Sequence, residues 1–198
     1  MNREAEGFNF LRNKTRDRAL AEIEAINWQI HYNNPGRLGY FLSERDRHLG
    51  VSRMLQYLQN NVSHEFTGQG QCDGHYLTQL RMGMNWKEII RPLSDPNVHN
   101  YYTPICFPEV SFPNLRIPRR SMKPDLVGID HQGLWYVVEI CSAYSPRRNT
   151  KKRGVVASSR LIRSNFPKVA VIPTFVTYRF DLISPQKTGV ITIETILD

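Results

Sequence analysis

Residues 123–141 of this 198-residue chain are KPDLVGIDHQGLWYVVEIC, two apolar runs on either side of a short polar turn. The runs are 126–129 and 134–140, and the four residues between them carry the acid and the glycine typical of a hairpin loop. This stretch therefore predicts two adjacent antiparallel strands, the second of which is long and apolar enough to be buried.

The rest of the chain after residue 100 continues with strands and one helix. Prolines at five positions between 104 and 124 exclude a helix there and favour an extended or edge segment. A basic helix is predicted at about 149–164, and apolar strands are predicted at 169–176 and 190–196. This order predicts an α/β fold with a mixed sheet of about four or five strands flanked by helices.

The chain before residue 100 has a different pattern. Apolar residues recur there at helical spacing, as Ile23, Ile26 and Ile30 do. Similar spacing is found in the later apolar clusters of this half. We therefore predict a helical N-terminal region, residues 1–99, in front of a core formed by residues 100–198.

Composition limits the class of function. The chain has 26 Lys and Arg against 18 Asp and Glu and a pI of about 9.6, which favours a polyanionic partner such as nucleic acid. No run approaches about 18 consecutive apolar residues, so no membrane span is predicted. The first residues lack a signal-peptide pattern, and the three cysteines stand singly. We therefore expect an intracellular protein, cytoplasmic or nuclear, without a thiolate zinc site.

Two carboxylates in the predicted hairpin indicate metal chemistry. Asp125 opens the first strand and Glu139 lies toward the end of the second, so an antiparallel pairing brings them to the same end. Glu139 is the polar exception in an apolar strand, where a carboxylate is costly unless it is paired or bound to a metal. Two hard oxygen ligands suit Mg²⁺ or Mn²⁺, and such an ion can offset charge that develops on a phosphate.

This pair of motifs resembles that of the PD-(D/E)XK nuclease superfamily, which includes restriction enzymes and Holliday-junction resolvases. Pro124-Asp125 matches the first motif, and Glu139-x-Cys141 matches the second except that the superfamily has a lysine at the last position. The resemblance implies a restriction-endonuclease-like fold. It also implies a metal-dependent endonuclease in which Asp125 and Glu139 ligate Mg²⁺ or Mn²⁺.

Cys141 departs from the superfamily at a catalytic position, because strand alternation puts it on the same face as Glu139. We expect Lys151 or Lys152 of the following helix to replace the missing lysine, and to orient the nucleophile or stabilise the phosphate. One alternative is a catalytically inactive nuclease fold that binds DNA as a module. Another is an assembly protein whose basic face docks acidic partners.

A closer resemblance is to the restriction-like endonuclease of site-specific non-LTR retrotransposons. Lys123-Pro124-Asp125, followed after thirteen residues by Glu139, has the spacing of that domain, and the resemblance covers roughly residues 104–178. It implies that DNA rather than RNA is the substrate. It also implies that the chain works as a homodimer or as part of a larger transposition complex.

A third metal ligand and another substrate class stay open. Glu109 is predicted as a third acidic ligand, and Glu65 is the alternative. A cap-snatching viral endonuclease would combine the same carboxylate pair with a metal-binding histidine, and His64 keeps this RNA-cutting alternative open. His75 and His99 are interpreted as surface or capping residues.

Basic residues surround the two acids in the sequence. We predict that they hold the nucleic-acid backbone, so that binding weakens steeply with salt. Tyr144, in the loop before the basic helix, is predicted to position the substrate or to stack on a base. The predicted backbone-binding residues are Arg116, Arg119, Arg120, Lys123, Arg147, Arg148, Arg153, Arg160 and Arg163.

Overall fold

The structure is a computed structural model. It describes residues 26–33, 53, 56, 73–90, 105–108, 110, 112–117, 120–130, 133–181 and 188–196. Of the helices in these segments, none has the length and apolar composition that crossing a bilayer requires. The statements below concern these residues.

The described elements combine a mixed sheet with helices on both of its faces. In chain order they are β1 (Asn27–Asn33), α1 (Asp73–Met84), α2 (Trp86–Ile90), β2 (Ile105–Pro108), β3 (Phe112–Ile117), β4 (Arg120–Met122), β5 (Leu126–Ile129), β6 (Trp135–Ser142), α3 (Arg148–Asn165), β7 (Val171–Asp181) and β8 (Thr188–Thr195).

Six strands form one sheet in the order β1-β8-β7-β6-β5-β2, and β3 pairs separately with β4. The β1–β8 and β6–β7 pairs are parallel, whereas β7–β8, β5–β6 and β2–β5 are antiparallel. The predicted α/β class and mixed sheet are therefore confirmed. The sheet has six strands rather than the four or five predicted.

The β5–β6 hairpin is where the sequence placed it, and its turn is built by one acid and one glycine. The carboxylate of Asp130 accepts hydrogen bonds from the amide of Leu134 at 2.9 Å and from the hydroxyl of Tyr136 at 3.2 Å. Gly133 has φ of 75°, a left-handed conformation that favours glycine. Asp130 is thus a structural acid, which leaves Asp125 and Glu139 as the hairpin's other two carboxylates.

The two faces of β6 pack against different helices. Tyr136, Val138 and Ile140 pack in a cluster that includes residues of α1 and α2. On the opposite face, Trp135 and Val137 pack against a cluster that includes buried residues of α3. Because β6 and β7 are parallel, the chain needs a crossover between them, and α3 provides it. The basic helix is therefore held directly over the end of β6.

One predicted helix is a strand. Ile26 and Ile30 were expected on a helix, but residues 27–33 form β1 and pair with β8 along its length. The stretch also has period-2 alternation, in which Trp28 is buried between exposed neighbours. Pairing with β8 gives hydrogen-bond partners to the backbone groups on one edge of β1. The side chains of Trp28 and Ile30 pack in or against the hydrophobic core. The helical prediction holds for α1 and α2, which pack on the same sheet.

A close approach between α2 and β5 fixes this side of the sheet. The indole of Trp86 donates a hydrogen bond to the carbonyl of Ile129 at 3.0 Å. Its ring lies over Gly128, where an added Cβ would come within 1.9 Å of it. Glycine at this strand position is therefore a packing requirement.

We predict that Gly128→Ala lowers the free energy of unfolding by about 2–3 kcal/mol, because Trp86 is hydrogen-bonded in place and cannot yield to the new methyl group. The matched control is Gly154→Ala in α3, where an added Cβ meets no atom within 4 Å. That substitution should stabilise the protein by about 0.5–1 kcal/mol. Urea unfolding measures both changes in the free energy of unfolding. Equal effects of the two substitutions would contradict the close packing of Trp86 on Gly128.

Candidate active site

The two motif acids lie side by side at one end of the β5–β6 hairpin. Leu126 pairs with Val138, so Asp125 and Glu139 stand opposite each other one step further along. Strand alternation turns both side chains toward α3. Asp125 is 7% exposed and Glu139 is partly buried. The structure therefore brings together the pair that the sequence identified.

Asp125 is held by contacts from several elements. Its Oδ2 accepts a hydrogen bond from the amide of Ile140 at 2.6 Å, which ties the carboxylate to β6. Its main-chain carbonyl accepts a bond from the Nε2 of Gln79 in α1 at 2.7 Å. The amide of Ile140 thus orients the carboxylate, and Gln79 holds the main chain of the same residue.

Lys151 brings an ammonium group to the two acids from the first turns of α3. Its Nζ lies 3.4 Å from Oε2 of Glu139 and 3.6 Å from Oδ2 of Asp125. It also donates a hydrogen bond to the carbonyl of Ile140 at 2.9 Å. Strand β6 has the buried Cys141 two residues after Glu139 and contains no lysine. The ammonium group beside the two acids therefore comes from α3.

Lys152, the other predicted catalytic lysine, does not join this group. Its ammonium pairs with the carboxylate of Glu194 on β8. Successive residues of a helix point about 100° apart, so the two adjacent lysines are directed to different places. Lys151 is the lysine that reaches the two acids, and Lys152 reaches β8, two strands away from β6 in the sheet.

His75, interpreted from the sequence as a surface or capping residue, is buried beside Asp125, and that interpretation is wrong. It is 7% exposed, and its Nε2 lies 3.4 Å from Oδ1 of Asp125. This nitrogen has no hydrogen-bond partner among the residues that the structure describes. The available signal was a pair of polar residues, His75 and Gln79, four apart and therefore on one face of a helix.

The other predicted ligands lie outside the described residues. They are Glu109, its alternative Glu65, His64 and His99. Among the described residues, the structure adds to the two acids an imidazole beside Asp125.

Burial and charge shift the acids in opposite directions. Burial acts to raise the pKa of Asp125, but His75, Lys151 and the amide of Ile140 outweigh it and hold that pKa below its ordinary value. Burial and the neighbouring Asp125 charge raise the pKa of Glu139 to about 8. Burial acts to lower the pKa of Lys151, but the two carboxylates outweigh it and raise it. Lys151 therefore stays cationic at neutral pH.

The oxygens around Lys151 show what the acids can hold. One oxygen each from Asp125, Glu139 and Ile140 converges on a single cationic head. Hard oxygen donors of this kind suit Mg²⁺ or Mn²⁺, which bind through one or two carboxylates and keep several waters. No group of three or more His, Cys, Asp or Glu side chains is placed to hold a metal in the described segments. The donor set fits a partly hydrated ion rather than a closed protein cage.

No family model matches this chain, and no curated protein or solved structure matches it. The chemistry of the site thus follows from its own atoms. They are two carboxylates that attract a cation, one permanent positive charge between them, and a buried imidazole behind the first acid.

Most of the predicted nucleic-acid-binding residues whose side chains are described are exposed to solvent. Tyr144, in the loop between β6 and α3, is 75% exposed. Arg163 is half-buried on α3. Arg119 lies outside the described residues, and nothing is described of the side chains of Arg116 and Arg120. Among the predicted basic residues, those with exposed side chains are Lys123, Arg147, Arg148, Arg153 and Arg160.

We predict that Lys151→Met strengthens the binding of Mn²⁺ about tenfold or more in the absence of nucleic acid. The ammonium occupies the point on which the oxygens converge, so it repels an incoming divalent ion. Isothermal titration calorimetry at pH 8.5 measures the affinity, and circular dichroism verifies the fold. Lys152→Met is the matched control and should leave the affinity unchanged. Weaker binding of Mn²⁺ by the Lys151→Met variant would contradict a competition between the ammonium group and the metal ion.

The raised pKa of Glu139 predicts how stability depends on pH in metal-free buffer. Between its ordinary value of 4.5 and about 8, the folded chain keeps a proton on Glu139 that the unfolded chain has released. The free energy of unfolding therefore falls as pH rises through this window.

Urea unfolding in EDTA at pH 5 to 8 tests this effect against Glu139→Gln, which carries no titrating group at that position. Glu194→Gln, at a carboxylate paired with Lys152, is the control and should behave as the wild type. If the Glu139→Gln variant shows the same pH slope as the wild type, the raised pKa is wrong.

Proposed function

We propose that this protein is a metal-dependent endonuclease that hydrolyses phosphodiester bonds of nucleic acid, with DNA as the first substrate. The observation that carries the proposal is the position of Lys151, whose Nζ lies 3.4 Å from Glu139 and 3.6 Å from Asp125. Two acids and a lysine at one point are the groups that the PD-(D/E)XK resemblance requires. Their convergence weighs against the inactive module that Cys141 alone suggested.

We also propose a restriction-endonuclease-like architecture. Its support is the β5–β6 hairpin that carries both acids, followed by a crossover helix and a parallel strand in a mixed sheet. The site-specific retrotransposon subtype, with a homodimer or a transposition complex as its assembly, stays a prediction from the Lys123-Pro124-Asp125 spacing.

Asp125 and Glu139 would hold Mg²⁺ or Mn²⁺, which supplies Lewis-acid stabilisation of charge at the scissile phosphate. Asp125 is fixed for this task by the amide of Ile140 at 2.6 Å. Lys151, cationic because its pKa is raised, stabilises negative charge that develops on the phosphate oxygens rather than accepting a proton. The carbonyl of Ile140 keeps that ammonium at the same edge.

Recognition of the substrate would be mainly electrostatic. Arg147, Arg148 and Arg153 are exposed on and next to the first turns of α3, the helix that carries Lys151. Guanidinium groups in this position bind phosphates without reading bases. The chain's excess of basic residues, 26 against 18 acids, supports a polyanion as the partner.

RNA is the second candidate substrate, and His75 is the observation that favours it. A metal-binding histidine beside the same carboxylate pair is the pattern of the cap-snatching endonucleases. His75, rather than the predicted His64, has its Nε2 3.4 Å from the carboxylate of Asp125. RNA therefore belongs among the substrates of the test below, together with a His75→Ala variant.

We predict that the purified protein cuts labelled nucleic acid in Mn²⁺ or Mg²⁺ and not in EDTA. Asp125→Ala and Glu139→Ala should each lower the cleavage rate at least about a hundredfold, because each removes half of the carboxylate pair. Lys151→Met should lower it by a similar factor through loss of charge stabilisation. Gel assays on duplex DNA, branched DNA, single-stranded DNA and RNA measure the rates.

The control variants come from the neighbouring ion pair. Lys152→Met and Glu194→Gln alter a lysine and a carboxylate of the same helix and sheet, but neither group touches Asp125 or Glu139 in the described structure. Both variants should cut at rates near the wild type. Metal-independent cleavage, or cleavage that survives Asp125→Ala and Glu139→Ala, would overturn the proposal.

A further inference from the structure

An exposed aromatic ring stands in the loop between β6 and α3. Tyr144 is 75% exposed and is the one large hydrophobic side chain that is exposed among the described residues. The ring takes no part in core packing, because it lies outside both hydrophobic clusters. Its aromatic face is therefore accessible to a partner.

The loop that carries Tyr144 is hydrogen-bonded along its length. The amide of Ala143 donates to the carbonyl of Tyr178 on β7 at 2.9 Å, and the amide of Ser145 donates to the carbonyl of Ser142 at 3.1 Å. The hydroxyl oxygen of Ser142 accepts from the amide of Tyr144 at 3.3 Å.

The same pattern continues into α3. The amide of Arg147 donates to the hydroxyl oxygen of Ser145 at 3.2 Å, and the amide of Arg148 donates to the carbonyl of Ser145 at 3.1 Å. The backbone is therefore fixed on both sides of an uncovered ring. A ring presented on a fixed backbone loses little conformational entropy when a flat partner stacks on it.

The ring is close to the carboxylates. The loop leaves β6 shortly after Glu139 and enters α3 shortly before Lys151, and these two side chains are 3.4 Å apart. Tyr144 follows Glu139 by five positions, which is at most about 18 Å of extended chain. A ring within this distance can reach nucleotides near the scissile phosphate.

The charges beside the ring suit a nucleotide. Arg147 and Arg148 are exposed within four residues of Tyr144, and Lys151 follows on the same helix. An aromatic face with cations beside it is the arrangement that binds single-stranded nucleic acid, where bases stack and phosphates pair with the basic groups.

We propose that Tyr144 is a stacking platform for an unpaired base next to the cut, so that the site prefers DNA with single-stranded nucleotides at or beside the scissile phosphate. This inference rests on the proposed function and names the substrate class of that same site. Inside a duplex both faces of a base are covered by its neighbours, so the ring gains nothing from intact duplex DNA. An unpaired base offers a free face.

Binding in EDTA tests the proposal without any cleavage. The probes are a duplex, and the same duplex with a short single-stranded flap that carries 2-aminopurine, whose fluorescence is quenched when it stacks. Wild type should bind the flap DNA more tightly than the duplex and quench the probe. Tyr144→Ala should lose about tenfold in affinity for the flap DNA, lose the quenching and keep its duplex affinity.

Three further variants separate stacking from other roles of the side chain. Tyr144→Phe keeps an aromatic face and should behave as the wild type, whereas Tyr144→Leu keeps apolar area and should behave as Tyr144→Ala. Arg147→Gln should weaken both DNA probes equally and lower the salt dependence of binding. An unchanged flap affinity in Tyr144→Ala, an equal loss on both probes, or stacking on an RNA flap alone would overturn the proposal.

The outcomes distinguish this inference from the proposed function. Flap binding that depends on Tyr144, without cleavage on any substrate, would uphold the platform and reject the nuclease. Metal-dependent cleavage that is indifferent to Tyr144 and to unpaired bases would uphold the nuclease and reject the platform.

Discussion

The carboxylate of Asp125 is the group on which the rest of the site depends. A buried charge is tolerated only when donors and cations surround it, and here they come from three layers of the fold. The amide of Ile140 reaches it from the sheet, Lys151 from the helix on one face, and His75 from the helix on the other. The same residue's carbonyl is held by Gln79. Asp125 therefore makes contacts with the sheet and with helices on both of its faces.

The lysine beside the two acids comes from a helix and not from the sheet, and this affects how the site is assembled. A motif lysine on β6 would be positioned by the strand itself, whereas Lys151 is positioned by the docking of α3. That docking rests on the buried side chains of α3, among them Val155 and Ile162, which pack in one cluster with residues of β6 and β7. The first turn has neither an acid nor a side-chain cap. Its position is therefore set by these tertiary contacts more than by its own terminal signals.

The parts that were predictable from the sequence are those governed by local periodicity. The hairpin and the meeting of Asp125 with Glu139 follow from strand alternation across a short turn, and α3 and β7 follow from their own patterns. Which of Lys151 and Lys152 reaches the acids depends on how α3 is rotated about its axis relative to the sheet. The spacing of residues in the sequence does not show this rotation.

Two predictions from the sequence were wrong, and each error has a physical cause. Ile26 and Ile30 fit a helical spacing and a strand alternation at once, and only the distant β8 decides between them. His75 lies fifty residues before its partner Asp125, so no local pattern joins them. Two polar residues four apart on one helix, such as His75 and Gln79, are the general signal for such partners, but this spacing does not show which residue they contact.

The contacts of α1 have a consequence for the order of assembly. The hairpin can form locally and bring its two acids together, but Gln79 and His75 reach Asp125 only after the chain has closed a loop of about fifty residues. Lys151 arrives only when α3 has crossed between β6 and β7. The full set of groups around Asp125 is thus a property of the completed tertiary structure. A chain in which only the hairpin has formed holds both acids, but it has neither the imidazole nor the ammonium group beside them.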